Sequence, residues 1–187
     1  HFFDYFNWFS IVGGIALTLL TYLHGLNYIA LKTKGVISDR AQNYSKALYW
    51  VLYVGEVIFA LLLLFQTDFL QVHPILTLLC LVLIVGFSVA GHVANFVNKQ
   101  GWAFFFSGLT LVSLVALIFC GLFPRVMISS ISSKYDLMIQ SASSSNYTLI
   151  VMTIATIILI PCILAYTIWS YWIFRKRIEM PAIGEGY

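Results

Sequence analysis

Three ionisable side chains interrupt otherwise apolar stretches of this chain: His24, Glu56 and His92. Each has polar companions at helical spacing. Asn27 follows His24 by three positions, Tyr49 and Tyr53 precede Glu56 by seven and three, and Ser88, His92 and Asn95 recur at i, i+4 and i+7. Such spacings place side chains on one helix face. Ionisable groups inside apolar helices are costly, so each marks a site by default. Three kinds of chemistry are open to the set His24, Asn27, Glu56, His92 and Asn95. It can be a hydrogen-bonded cluster that packs helices together. It can be a proton relay or hydrated path, because Glu and His exchange protons near neutral pH when buried. Two histidines on separate helices can also ligate a haem. Gly25 and Gly91, beside the histidines, would let helices approach closely.

Other chemistry is missing from the sequence. Cys80, Cys120 and Cys162 fall in apolar runs with no CxxC and no Cys/His metal spacing, and read as small core or lipid-facing residues. There is no phosphate-binding glycine loop, nucleophile elbow or zincin motif. No catalytic or metal-binding constellation is identified, and lone histidines on separate spans are weak evidence for haem. Asn146-Tyr147-Thr148 is a formal glycosylation sequon and reads as chance.

The elements that must position these residues are transmembrane helices. The chain has 187 residues, of which 61% are hydrophobic and 9% charged. Soluble domains carry about 25% charged residues. A net charge of +3 from ten basic residues is no footprint for nucleic acid. About 20 apolar residues cross a bilayer core. Five continuous runs qualify, at about 9–31, 47–65, 75–96, 102–123 and 149–174. The expectation is an all-α integral membrane protein of five spans in one membrane domain, 1–187. His24 then lies about 10 Å from the end of span one, and Glu56 about 13 Å into span two from the same side. His92 lies near the corresponding end of span three.

Eight of the ten basic residues lie on one side: Lys32, Lys34, Arg40, Lys46, Lys99, Arg175, Lys176 and Arg177. The other side has Arg125 and Lys134, with Asp4, Asp68 and Asp136. The positive-inside rule places the N-terminus outside and the C-terminus in the cytoplasm. Ser38 is expected to cap a helix starting at Asp39, as a cytoplasmic amphipathic turn before span two. Pro74 suits the first turn of span three. Trp102, Trp169, Tyr171 and Trp172 read as interfacial anchors. Pro161 should kink span five. The Ser-rich loop from Pro124 to Thr148 must pack or stay mobile.

The stretch Leu23-His24-Gly25-Leu26-Asn27-Tyr28-Ile29-Ala30-Leu31-Lys32-Thr33 resembles the fifth-helix segment of subunit II of cytochrome bd-type quinol oxidases. Phe123-Pro124, Ser129-Ser130, Ala142-Ser143-Ser144 and Met152-Thr153 are similar to the family's outer loop and last span. So are Ala165-Tyr166, Ile168-Trp169, Tyr171 and Phe174-Arg175-Lys176-Arg177. The resemblance implies the second half of a nine-span subunit: a four-helix bundle plus one further helix. Where the first half carries Asp-Gly-Phe-Asp, this half has His24-Gly25-Leu26-Asn27, a degenerate copy without the carboxylates. The missing initiator Met fits the edge of an absent first half.

The resemblance further implies a bacterial cytoplasmic-membrane complex that oxidises quinol and reduces O2 to water. Haems b and d and the quinol site belong to the partner subunit I, and this chain carries no cofactor of its own. Some members hold a structural quinone or lipid, or part of an O2 or proton path, and a small single-span accessory subunit. Expected partners are thus subunit I, membrane lipids and quinone, with no nucleic acid. Two other readings stay open at this point: a small transporter or channel, and a b-type cytochrome using His24 and His92.

Overall fold

The computed structural model describes residues 8–129 and 132–178. Asp4 and Ser130, invoked above, lie outside the described residues. Among the described residues, five helices are long and apolar enough to cross a membrane: α1 (Trp8–Lys32), α2 (Val36–Gln66), α4 (Pro74–Phe96), α5 (Gln100–Leu122) and α7 (Asn146–Ile173). The short α3 (Phe69–Val72) lies between α2 and α4. A hairpin of β1 (Arg125–Met127) and β2 (Leu137–Met138), with a 3-10 turn at Ser133–Tyr135 and the short α6 (Ile139–Ala142), precedes α7. The chain divides into two compact units. One runs to Gly121 and includes Arg177 and Ile178; the other is 122–176.

The first unit contains α1, α2, α4 and α5. Its side-chain pairings fix helix directions. Asn27 and Ala30 of α1 meet Ser45 and Ser38 of α2, so sequence numbers rise on one helix as they fall on the other. Glu56, Tyr53 and Gln42 of α2 meet Ser88, His92 and Asn95 of α4 in the same antiparallel sense. His24 and Asn27 of α1 meet Ser107 and Ala103 of α5 likewise. Short connections make antiparallel neighbours the natural outcome. The apolar core includes Leu23, Leu52, Leu63 and Leu117, and Phe69 of α3 lies over Gly121, where a Cβ would come within 2.1 Å of its ring.

Helix ends depart from the sequence expectation in one informative place. The helix containing span two starts at Val36, three residues before the expected Asp39 and eleven before the apolar run at Ala47, and its N-cap is Gly35, with φ at +67°. Ser38 is not a cap: it is buried in the first turn of α2, and its hydroxyl donates to the Ala30 carbonyl of α1 at 2.9 Å. A glycine takes the left-handed conformation at no steric cost, so it starts α2 immediately after α1 ends. At 1.5 Å per residue, α2 is about 46 Å long, well beyond a bilayer core of about 30 Å. Pro74 does open α4. The 33–35 connection is fastened to the start of the C-terminal tail: Lys34 N–H donates to the Ile178 carbonyl, and Ile178 N–H to that of Lys32. Arg177 donates to Gln100 Oε1 at 2.7 Å. Residues of three basic segments thus share one end of this unit.

In the second unit, Arg125 and Asp136 pair across the hairpin at 3.4 Å, with both side chains largely shielded, and Asp136 Oδ1 accepts from Ser129 N–H. The Ser-rich loop is therefore folded in part. Ser145 caps α7, its Oγ accepting from Thr148 N–H. Asn146 and Tyr147 of the sequon, with Thr148, form the exposed first turn of that helix. The helix continues through Pro161 and buries none of its residues. Arg175 lies over the Trp172 ring.

Candidate functional site

Four helices converge on Asn27, which is 1% exposed. Its Nδ2 donates to the Tyr49 hydroxyl at 3.3 Å and to the Ala103 carbonyl at 3.4 Å. Its Oδ1 accepts from Ser45 Oγ at 2.6 Å and from Asn95 Nδ2 at 3.3 Å. A side-chain amide has two donor hydrogens and room for two acceptances, and all four are used. Asn95 Nδ2 donates its second hydrogen to Ser45 Oγ at 2.8 Å, closing a ring of Asn27, Ser45 and Asn95. Gln42 continues the set toward the basic end, donating to the Asn95 carbonyl at 2.8 Å and to Asn98 Oδ1. Such fully satisfied buried amides tie α1, α2, α4 and α5 together without any group that titrates near neutral pH.

A second tier lies along α2 and α4. His92, 5% exposed, shares a 2.9 Å hydrogen bond between its Nδ1 and the Tyr53 hydroxyl. Its ring stacks on Tyr49 with centroids 4.6 Å apart and is edged by Trp50 and Phe96. Lys46 Nζ lies over the Phe96 ring. About one turn along each helix, Ser88 Oγ lies 3.2 Å from Glu56 Oε2 and 3.0 Å from the Val85 carbonyl. Two buried side-chain atoms among the described residues have no hydrogen-bond partner, Glu56 Oε1 and His92 Nε2. Beyond Glu56 a half-enclosed apolar cavity of about 370 Å³ opens between α1, α2, α4 and α5, lined by residues such as Ala16, Leu20, Gly55 and Ile84.

His24 is placed apart from both tiers. Its Nδ1 lies 2.8 Å from Ser107 Oγ on α5, and its ring stacks on Phe104 at 4.4 Å. The structure thus brings Asn27 and Asn95 into direct contact, places His92 and Glu56 on the neighbouring α2–α4 seam, and turns His24 toward α5. The glycine expectations separate. A Cβ at Gly91 would sit 2.6 Å from the Tyr49 hydroxyl, so the missing side chain makes room for that tyrosine. A Cβ at Gly25 would meet nothing within 4 Å, so Gly25 is not needed for close helix approach. Ser45, Gln42, Asn98 and Ser107 were not singled out from the sequence. A signal existed: Ser38, Gln42, Ser45, Tyr49, Tyr53 and Glu56 recur at spacings of three and four, a polar stripe along α2. Among the described residues no group of three or more His, Cys, Asp or Glu is arranged to hold a metal ion.

Residues 1–174 match the family model for cytochrome bd terminal oxidase subunit II. The chain belongs to that family. It is 42% identical over 179 residues to cytochrome bd ubiquinol oxidase subunit 2 of Bacillus subtilis (strain 168), covering 96% of this chain and 53% of the relative. It is 26% identical over 220 residues to a probable cytochrome oxidase subunit 2 of Haemophilus influenzae, covering 99% and 56%. It is 40% identical over 89 residues to cytochrome bd-I ubiquinol oxidase subunit 2 of Escherichia coli (strain K12), covering 48% and 24%. At most, the chain spans about half the length of these curated relatives. With five apolar helices and this family, it is a multi-pass membrane protein.

Proposed function

We propose that this chain serves as the non-haem, second-half portion of subunit II in a bacterial quinol:O2 oxidoreductase, supporting a haem-bearing subunit I. The match of residues 1–174 to the family model carries this reading. The relatives named above are subunits of cytochrome bd ubiquinol oxidases, or are named as probable cytochrome oxidase subunits, which supports oxidation of quinol and reduction of O2 as the activity of the whole complex. The Asn27–Ser45–Asn95 ring supports a scaffold role. Every donor and acceptor of Asn27 is spent within the bundle, leaving that amide none for a ligand. His24 and His92 are directed to different helices and stacked on Phe104 and Tyr49, which favours packing roles over shared haem ligation. Haems b and d then reside on subunit I, and any structural quinone or lipid is an auxiliary component. The basic end of the helical unit, with Lys32, Lys34, Lys99 and Arg177, faces the cytoplasm under the positive-inside rule.

The test is copurification from the native membrane in mild detergent through a tag on this chain. A larger partner bearing haem absorption is expected to accompany it in stoichiometric amount. A chain that purifies alone, monodisperse and without haem-bearing protein, contradicts the proposal.

A further inference from the structure

The polar side chains of the bundle divide by chemistry as well as by place. The Asn27–Ser45–Asn95 ring is satisfied and built from amides and a hydroxyl. The two orphaned atoms, Glu56 Oε1 and His92 Nε2, belong to side chains that can change protonation, and both lie on the α2–α4 seam. A buried polar atom left unsatisfied in an otherwise satisfied core asks for a functional reason.

The contacts around Glu56 and His92 suit two protonation states with the same heavy-atom positions. Ser88 has one hydroxyl hydrogen and two acceptors within reach, Glu56 Oε2 at 3.2 Å and the Val85 carbonyl at 3.0 Å. When Glu56 is ionised, Ser88 donates to its carboxylate. When Glu56 is protonated on Oε2, the carboxyl O–H donates to Ser88 Oγ, and Ser88 donates to Val85. A rotation of one hydroxyl hydrogen accommodates the change. The contact of His92 Nδ1 with the Tyr53 hydroxyl at 2.9 Å has the same property. Tyr53 donates to an unprotonated Nδ1, or accepts from Nδ1–H. Tyr53 and Glu56 are three residues apart on one face of α2, so the residue bonded to the imidazole and the residue bearing the carboxyl share the seam.

We propose that the α2–α4 seam is a proton-exchange site, in which Glu56 stores a proton that it receives from His92 by way of Tyr53. A proton arriving at His92 Nε2 makes the imidazolium. The Nδ1 proton then passes to the Tyr53 oxygen as the tyrosine hydroxyl proton moves on, over a bridging water, to the Glu56 carboxylate. One proton has left the ring and joined the carboxylate. Tyr53 is restored, and the imidazole is left neutral. Return of the proton reverses these steps. Among the described residues, the titratable and charged groups facing this path are Tyr49, Tyr53 and Lys46 of α2, and none of these is a carboxylate. The proposal stands on this geometry and does not require the assignment of quinol oxidation to the complex.

The test is infrared difference spectroscopy on the intact detergent-purified complex containing this chain, from about pH 5 to pH 8, in H2O and D2O. A protonated-carboxyl band is expected that titrates, shifts in D2O, and disappears in Glu56→Gln. In Ser88→Ala the same band should move in frequency, because its hydrogen-bond partner is gone. In Tyr53→Phe, a near-isosteric change that keeps the ring packing, deuterium exchange of that carboxyl should slow at least tenfold. Absence of any Glu56-dependent carboxyl band at every pH overturns the storage role. Exchange in Tyr53→Phe at the parent rate overturns the relay through Tyr53. If Glu56→Gln fails to assemble, Ser88→Ala and Tyr53→Phe decide the matter alone.

Discussion

Replacing Asn27 by Leu tests the amide ring most sharply, because the side chains are of similar size and the change removes polarity rather than bulk. Four hydrogen bonds disappear: to Tyr49 and Ala103, and from Ser45 and Asn95. Interhelical hydrogen bonds in membrane proteins average about 0.6 kcal/mol each, which gives about 2.4 kcal/mol. The Ser45 hydroxyl, fully buried, also loses its acceptor, and an orphaned buried polar group costs about 1–3 kcal/mol. The expected destabilisation is therefore about 3–5 kcal/mol. At about 2–4 °C per kcal/mol, the melting midpoint of the purified complex should fall by about 10 °C. Asn43→Leu, the same substitution at an exposed position of α2, should stay within about 0.5 kcal/mol of the parent. Differential scanning fluorimetry in detergent reads both. The double variant Asn27→Leu/Asn95→Leu should lose less than the sum of the single losses, since the two amides share a bond. A midpoint for Asn27→Leu within about 2 °C of the parent, or strict additivity in the double variant, would refute the reasoning.

Other outcomes follow from the same contacts. Gly91→Ala should lower the thermal midpoint, because the added methyl falls 2.6 Å from the Tyr49 hydroxyl, whereas Gly25→Ala should be neutral or stabilising. Gly121→Ala should cost about 1–3 kcal/mol through collision with the Phe69 ring, and Phe69→Leu in the same chain should recover part of the loss. Asp136→Ala removes both the Arg125 pair and the acceptor of Ser129 N–H, so amide hydrogen exchange should rise across the β1–β2 hairpin with little change in α1 to α5.

The five long helices are legible in the sequence because transfer of apolar side chains to lipid sets their length, and few charges interrupt them. Their ends are less legible. The apolar run of span two begins near Ala47, and the sequence carries its helix back only to Asp39, with Ser38 as a cap in water. The helix nonetheless runs back to Val36, and Ser38, Gln42 and Ser45 are buried against α1 and α4. Polarity on a helix that extends past the bilayer core reports water only on average; a neighbouring helix end can satisfy the same groups. That misreading hid Ser45 and Gln42, two members of the amide set. Asn27, Asn95, Glu56 and His92 were visible as polar interruptions in apolar runs. Which of them touch was not visible, because contact depends on the rotation of each helix about its axis. Spacing alone could not show that His24 turns to Ser107 of α5 and leaves Asn27 as the hub.

The most direct measurement of the central claim is the haem content of the intact complex carrying His24→Leu or His92→Leu. If this chain is a scaffold and the haems reside on the partner subunit, each variant that assembles should keep the parent's full haem stoichiometry and Soret absorption. Loss of one haem per complex in either variant, with both subunits still present, would contradict the account.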